Sequence, residues 1–337
     1  MSDEPRLPAE SGLPPLTAEG MLDLYREMYT IRRMEELAAK AYTLRKILGF
    51  CHLYIGQEAV AVGAAAATTR DDYWIAAYRE HGHALAKGVS PRAVMAELFG
   101  RADGCSHGLG GSMHMFDKSV NFMGGYGIVG GHIPLATGVA WACKQRNDGR
   151  VCVVFFGDGA ANQGAFFEAL ALAQLWKLPV VFICENNAYA MGTSIERASA
   201  LTDMSLRARG VGMVGEQVEG FDVRTVRERV GAAAKFAREG NGPVLLELVT
   251  YRYRGHSMSD PAKYRSKDEV EDIKNTSDGL LLAAHHLKEA YGVDEAAIAA
   301  IHEEVDALAQ DAYDFAEQSP VPDPAALYDY TYAPGGE

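Results

Sequence analysis

Two continuous apolar runs, Val151–Phe156 and Val180–Cys184, constrain this chain more than any other feature. Each is short, rich in branched and aromatic side chains, and reads as a strand buried on both faces. A third strand is predicted at Pro243–Tyr251. Helical patterns at Gln163–Trp176 and Asp222–Arg238 lie between these runs. Strand and helix in this rhythm build a parallel sheet through right-handed crossovers, with helices on both faces. The predicted class is therefore α/β. Ligands in such sheets sit beyond the carboxyl ends of the strands. That rule points to Gly157–Asn162, Glu185–Tyr189 and Arg252–Asp260 as walls of one crevice.

The rest of the chain is organised around that sheet. Thr17 opens a helix in which Met21, Leu24, Met28, Ile31, Met34 and Tyr42 recur at helical spacing. A second helix runs from Gln57 to Thr68. Another starts at Ser90-Pro91, with Ser90 as cap and proline at the first helical position. Gly104–Gly131 is rich in Gly, Met and His and shows no period, and so long an irregular segment is usually functional. From Asp278 the sequence is helical and then Pro-rich. The expected divisions are a flexible arm at 1–16, a ligand-binding domain at 17–277, and a C-terminal helical segment and tail at 278–337.

Composition excludes some functions. The net charge is −13, which opposes a phosphate-facing nucleic-acid surface. No stretch of about 18 apolar residues is present, so no membrane span is expected. The five cysteines form no C-x-x-C pair, and an odd count without such pairs suits a reducing compartment. The first sixteen residues lack both a secretory apolar region and an Arg-rich amphipathic pattern. The expected location is the cytoplasm.

The strongest chemical signal is Gly157-Asp158-Gly159, followed after 26 residues by Asn186-Asn187. Each half ends a predicted strand, so Asp158 and Asn187 project into the same crevice. A carboxylate and an amide carbonyl are hard oxygen donors, as Mg²⁺ requires, with phosphate and water completing its shell. Gly159 and Ala160 lead toward a helix whose first amides suit a phosphate. A competing motif, Gly125-x-Gly127-x-x-Gly130, matches the dinucleotide fingerprint. That fingerprint needs a preceding strand, and Asp117–Met123 makes a poor buried one, so the nicotinamide reading is set aside.

These residues belong to a wider set. Gly49–Glu58, Tyr78–Gly82, Gly110–Met115, Gly127–Gly130, Gly157–Gly164, Glu185–Tyr189 and Tyr251–Asp260 together resemble the α subunits of heterotetrameric pyruvate dehydrogenase-type E1 components, which use thiamine diphosphate. The resemblance implies a thiamine-diphosphate-binding fold. It implies Mg²⁺ held by Asp158, Asn187 and the carbonyl of Tyr189, and a diphosphate supported by Gly159, Ala160, Tyr78 and Arg79. By the same resemblance Gly127 and Val129 would meet the aminopyrimidine, Val129 filling the bend of the cofactor. His52 and His256 would be the active-site histidines, His52 near pyruvate and His256 near the diphosphate. His81 is a weaker candidate. His83, His107, His114 and His132 read as structural.

The resemblance also implies partners. A β subunit would complete an α₂β₂ assembly, and the two-carbon product would pass to a lipoyl group on an E2 acyltransferase core. Gly104–Gly131 and the first helix are the candidate interface surfaces. Branched-chain 2-oxoacid and acetoin dehydrogenase α subunits would keep the same cofactor residues, and a non-catalytic assembly subunit on this fold would be marked by loss of Asp158, Asn187 or His256. All three are present. The chain departs from the family pattern at His107 and Leu109, at two residues inserted around Ser119-Val120, and at Lys263, which stands where animal relatives carry a regulatory serine.

Overall fold

The structure is a computed structural model that describes residues 6–330, so parts of the predicted arm (1–5) and tail (331–337) lie outside the described residues. Helix α1 (Ala18–Thr43) is capped by the Thr17 hydroxyl, which accepts from the Gly20 amide. The Ala-rich α2 (Glu58–Ala67) precedes strand β1 (Tyr73–Ala77), and α3 (His81–Lys87) and α4 (Pro91–Leu98) follow. After an irregular stretch come β2 (Phe122–Tyr126), α5 (Ile133–Arg146), β3 (Cys152–Gly157), α6 (Gly164–Leu175) and β4 (Val180–Asn186). A small hairpin, β5 (Tyr189–Ala190) and β6 (Thr193–Ser194), leads into α7 (Ile195–Ala198). Then come β7 (Val214–Glu219), α8 (Val223–Arg238), β8 (Val244–Val249) and three helices, α9 (Lys267–Ser277), α10 (Gly279–Tyr291) and α11 (Glu295–Gln318).

The six long strands form one parallel sheet in the order β2-β1-β3-β4-β8-β7. Alternate residues of each central strand serve opposite faces, as the two-residue period of a strand requires. Val153, Phe155, Val181 and Ile183 pack on the side of α2, α4 and α8. Cys152, Val154, Phe156, Val180 and Phe182 pack on the side of α5 and α6. The α/β class read from the apolar runs is thus the observed one.

A third layer consists of α1, α10 and α11. Met21, Leu24, Met28 and Ile31 of α1 lie buried against Leu280, Leu287, Ile298, Ile301 and Val305. The apolar face of α1 is therefore covered within the chain. The described part of the arm, residues 6–16, is also not free. Ser11 is buried and hydrogen-bonds Glu228, and Arg229 donates to the carbonyls of Pro8 and Ala9, which ties the arm along α8.

Three strands of the sheet lie outside the expected ones. β1 is only five residues long, though aromatic and apolar, and β7 carries polar residues and is an edge strand with alternating exposure. β2 runs through the Gly-rich stretch that was read as irregular, and its glycines hide the usual strand signal. A Cβ on Gly125 would fall within 1.8 Å of both Glu80 carboxyl oxygens, so a larger residue cannot occupy that place in the strand. A strand therefore does precede Gly127–Gly130. The dinucleotide reading still fails, because Gly125 sits inside β2 and the next strand, β3, pairs with β1 rather than β2.

Candidate active site

Each strand end along the middle of the sheet delivers one piece of the site. β1 runs out into Tyr78-Arg79, β2 into Gly127, β3 into Asp158, β4 into Asn187, and β8 into the Arg252–Asp260 loop. A cavity of about 670 Å³ opens there, lined among others by His52, Tyr78, Gly127, Val129, His256 and Tyr264. The rings of His52, Tyr78 and His256 form a triangle, with centroid separations of 4.7 Å, 5.5 Å and 5.1 Å. The Nδ1 atoms of His52 and His256 are buried and have no hydrogen-bond partner. Buried polar atoms are normally paired, so these two are poised for something that enters the cavity.

Arg79 is the electrostatic centre. It is buried, and its guanidinium donates only to carbonyls, those of Leu53 (2.6 Å) and His256 (2.8 Å). Burial and the nearby Arg252 guanidinium push its pKa down to about 10. Among the described residues no carboxylate hydrogen-bonds it. A buried cation without a paired anion is costly, and an anionic ligand relieves that cost.

A set of oxygens gathers at the ends of β3 and β4. The carboxyl of Asp158 accepts from the Asn187 amide, and burial raises its pKa to about 6. Asn187 gives its side-chain NH₂ to Gln57 (2.8 Å), which turns its carbonyl oxygen the other way. That oxygen and the Tyr189 carbonyl both accept from Nη1 of Arg252, at 3.2 Å and 2.7 Å. The other end of Arg252 donates to the Met191 carbonyl (3.0 Å) and the Tyr264 hydroxyl (2.9 Å). Asp158, Asn187 and Tyr189, separated in sequence, thus meet around one cationic group, and the acceptor chemistry of this trio suits a hard cation. Gly159 turns the chain beneath it. A Cβ there would stand 2.6 Å from that of Ala190. Ala160 begins a short 3₁₀ turn, and α6 starts only at Gly164. The amides expected at a helix start therefore belong to this turn.

A model of the family described as "Dehydrogenase E1 component" matches residues 26–325. The chain belongs to that family. It is 52% identical over 314 residues to a Zymomonas mobilis protein named pyruvate dehydrogenase E1 component subunit alpha, covering 92% of this chain and 88% of that one. A Rhizobium meliloti protein of the same name is 52% identical over 310 residues, covering 92% and 89%. The human mitochondrial somatic form is 48% identical over 308 residues, covering 91% and 78%.

Several residues of this E1-family site escaped sequence reading. Arg252 lies inside the Tyr251–Asp260 motif, but its sequence position alone assigns it no role. A lone arginine between two tyrosines, directly after a buried strand, was the available signal. Gln57 and Glu97 carried none. Glu97 is fully buried, and its carboxylate accepts from the amides of Ser106 (2.7 Å), Gly108 (2.9 Å), Gly110 (2.7 Å) and Gly111 (2.9 Å). The glycine-rich loop is therefore folded around one acid. Of the other histidines, His83 meets Glu185 and His132 meets the Phe155 carbonyl, in keeping with structural use.

Both site histidines are neutral at neutral pH. Burial, then the Arg79 charge, lowers His52 to about 2 and His256 to about 4, from an ordinary 6.5. The unfolded chain therefore binds more protons than the folded one once pH drops below 6.5. Their contribution to stability is complete above 6.5 and is lost as pH falls toward 4 for His256 and toward 2 for His52. Melting temperature is expected to fall steadily from pH 6.5 down to about 4, and more gently in His52→Gln. Equal slopes in the two proteins would contradict this account.

Proposed function

We propose that this chain is the α subunit of a pyruvate dehydrogenase-type E1 component, dependent on thiamine diphosphate and Mg²⁺, working with a β subunit and a lipoylated E2 acyltransferase core. The observation that carries the reading is the pairing of Arg79, a buried cation lacking an anion, with the oxygen set of Asp158, Asn187 and Tyr189 at neighbouring strand ends. A magnesium diphosphate satisfies both at once. The family and the names of its relatives support the cofactor class and the substrate.

The residues fit their roles. Asp158, the Asn187 carbonyl and the Tyr189 carbonyl would hold Mg²⁺. Arg79, Tyr78, Gly159, Ala160 and His256 would hold the diphosphate, Arg79 with charge-assisted donors. Gly127 and Val129, at the cavity wall, would position the aminopyrimidine. When bound, the thiazolium supplies the electron sink for loss of CO₂ from a 2-oxoacid. The chain orients that chemistry and keeps water from it. His52, held neutral, offers an unpartnered nitrogen to the substrate and adds no cation beside Arg79.

Large apolar side chains stand in solvent on α5 and α6, among them Leu135, Trp141, Phe167, Leu175 and Trp176, and at Ile128 in the glycine-rich segment. Exposed apolar surface on this scale marks contact with another chain, and it supports the β-subunit reading. We take residues 17–277 as the cofactor-binding domain, with 278–330 packed back on α1 and α4. No described helix is long and apolar enough to cross a membrane, and the bacterial relatives support a cytoplasmic location.

Substrate choice is tested with the co-expressed assembly on pyruvate, 2-oxoisovalerate and acetoin. Pyruvate is expected to lead in kcat/KM by about tenfold or more, the scale on which a pocket separates substrates by one or two carbons. Preference for either rival would reassign the substrate and leave the cofactor reading intact.

A further inference from the structure

The active-site segment His52–Tyr54 has no strand beside it, yet its backbone is held at every residue. The His52 amide donates to the Ser112 hydroxyl (3.2 Å), the Leu53 carbonyl accepts from Arg79 (2.6 Å), and the Tyr54 amide donates to Glu35 (2.8 Å). Two of these holders are joined by a third side chain. His81 Nδ1 donates to both oxygens of Glu35 at 3.1 Å, and its Nε2 shares a 2.8 Å hydrogen bond with the Ser112 hydroxyl. Glu35, His81 and Ser112 are 1%, 1% and 5% exposed.

We propose that Glu35, His81 and Ser112 are positioning residues forming a buried relay that sets His52 in the active site. The three come from α1, the start of α3 and a 3₁₀ turn at Gly111–Met113. No water replaces a missing partner at this burial, so each hydrogen bond depends on the next. The relay therefore fixes the distance between the His52 backbone and the Ser112–Met113 turn, and both His52 and Met113 line the cavity. The Ser–His–Glu order resembles that of a nucleophilic triad, but the hydroxyl is spent on the His52 amide and sealed from the cavity. It holds a backbone in place and attacks nothing.

The role of His52 toward substrate rests on the function proposed above, so two readouts are needed. The first needs no turnover. In the assembled enzyme, Ser112→Ala is expected to speed amide hydrogen exchange at residues 52–54 by about tenfold or more, the opening free energy there being local rather than global. Exchange in the central strands stays unchanged. Unaltered exchange at 52–54 overturns the relay, whether or not the enzyme is active.

The second readout is a kinetic cycle. Ser112→Ala is expected to lower kcat for pyruvate about 10- to 100-fold, the cost of displacing a reacting group by a fraction of an ångström to an ångström. KM and thiamine diphosphate affinity hold steady. In a His52→Ala background the same substitution has little further effect. Full additivity overturns the proposal. If Ser112→Ala fails to assemble, Ser112→Cys, close in shape but a poor hydrogen-bonding partner, is carried through both experiments.

Discussion

Purified without a partner, this chain will not decarboxylate pyruvate. Thiamine chemistry would need an acid against the aminopyrimidine so that its amino group can act as the base, and among the described residues the carboxylates nearest the cavity are all engaged. Among the described residues lining the cavity, the only carboxylate is Asp260. Its oxygens already accept from the His256 and Ala262 amides and the Tyr264 hydroxyl. Glu58, in the neighbouring motif, is tied to Arg32 and to the Gly56 amide. Glu80 follows β1 directly, but its side chain turns inward to the Met115 amide, and burial raises its pKa well above the carboxylate range. Glu185 is engaged by Tyr54 and His83. On the proposed function, the β subunit would supply this acid. Decarboxylation measured with an artificial electron acceptor is expected at background for the lone chain and to rise by orders of magnitude on co-expression with a β subunit. Robust turnover by the lone chain would mean that one of these acids changes partners.

Asp158→Ala will remove Mg²⁺-dependent binding of thiamine diphosphate. Altering the outer partners of a metal site already costs about 10- to 100-fold in affinity, so deleting its one anionic ligand should cost at least the upper figure. That is about 2.8 kcal/mol or more. Asp158→Asn keeps the shape and an oxygen donor, and should lose less. Titration calorimetry on the assembled enzyme reads both. The folded state should not suffer. Burial lifts the Asp158 pKa to about 6, so its carboxylate is held at neutral pH at a cost that backbone amides and Arg252 offset only in part. The alanine variant should therefore melt no lower than the parent when both lack cofactor. Undiminished calorimetric affinity would remove Asp158 from the metal site.

The central fold could be read because its strands are extreme. β3 and β4 are apolar on both faces, and nothing but a covered parallel sheet accommodates two such runs with helices between them. The same logic placed Asp158 and Asn187 together, since both leave adjacent parallel strands at the same level. Edge strands escaped for the opposite reason. β7 is half exposed, and β2 is made of small residues whose packing partners, such as Glu80 on Gly125, are distant in sequence. Asp158 and Asn187 could be read from the strand ends they follow, whereas His256 rests on its motif alone. The site was not legible where function resides in holding a neighbour, as with Gln57, Glu97 and Ser112. Such residues look ordinary until their partners are known. The amphipathic stripe of α1 states that something covers it, and cannot state that the cover is α10 and α11 of the same chain.

Arg252 has a consequence for how the enzyme is loaded and emptied. Its guanidinium braces the Asn187, Tyr189 and Met191 oxygens from within the chain, so the turn that carries them does not depend on an ion for its shape. A chelator should strip the metal and leave this turn standing, and the emptied enzyme should refill at once on mixing with no slow annealing phase. On the proposed function, the brace would make the cofactor exchangeable cargo in a preformed cradle, able to leave and return without the turn being remade.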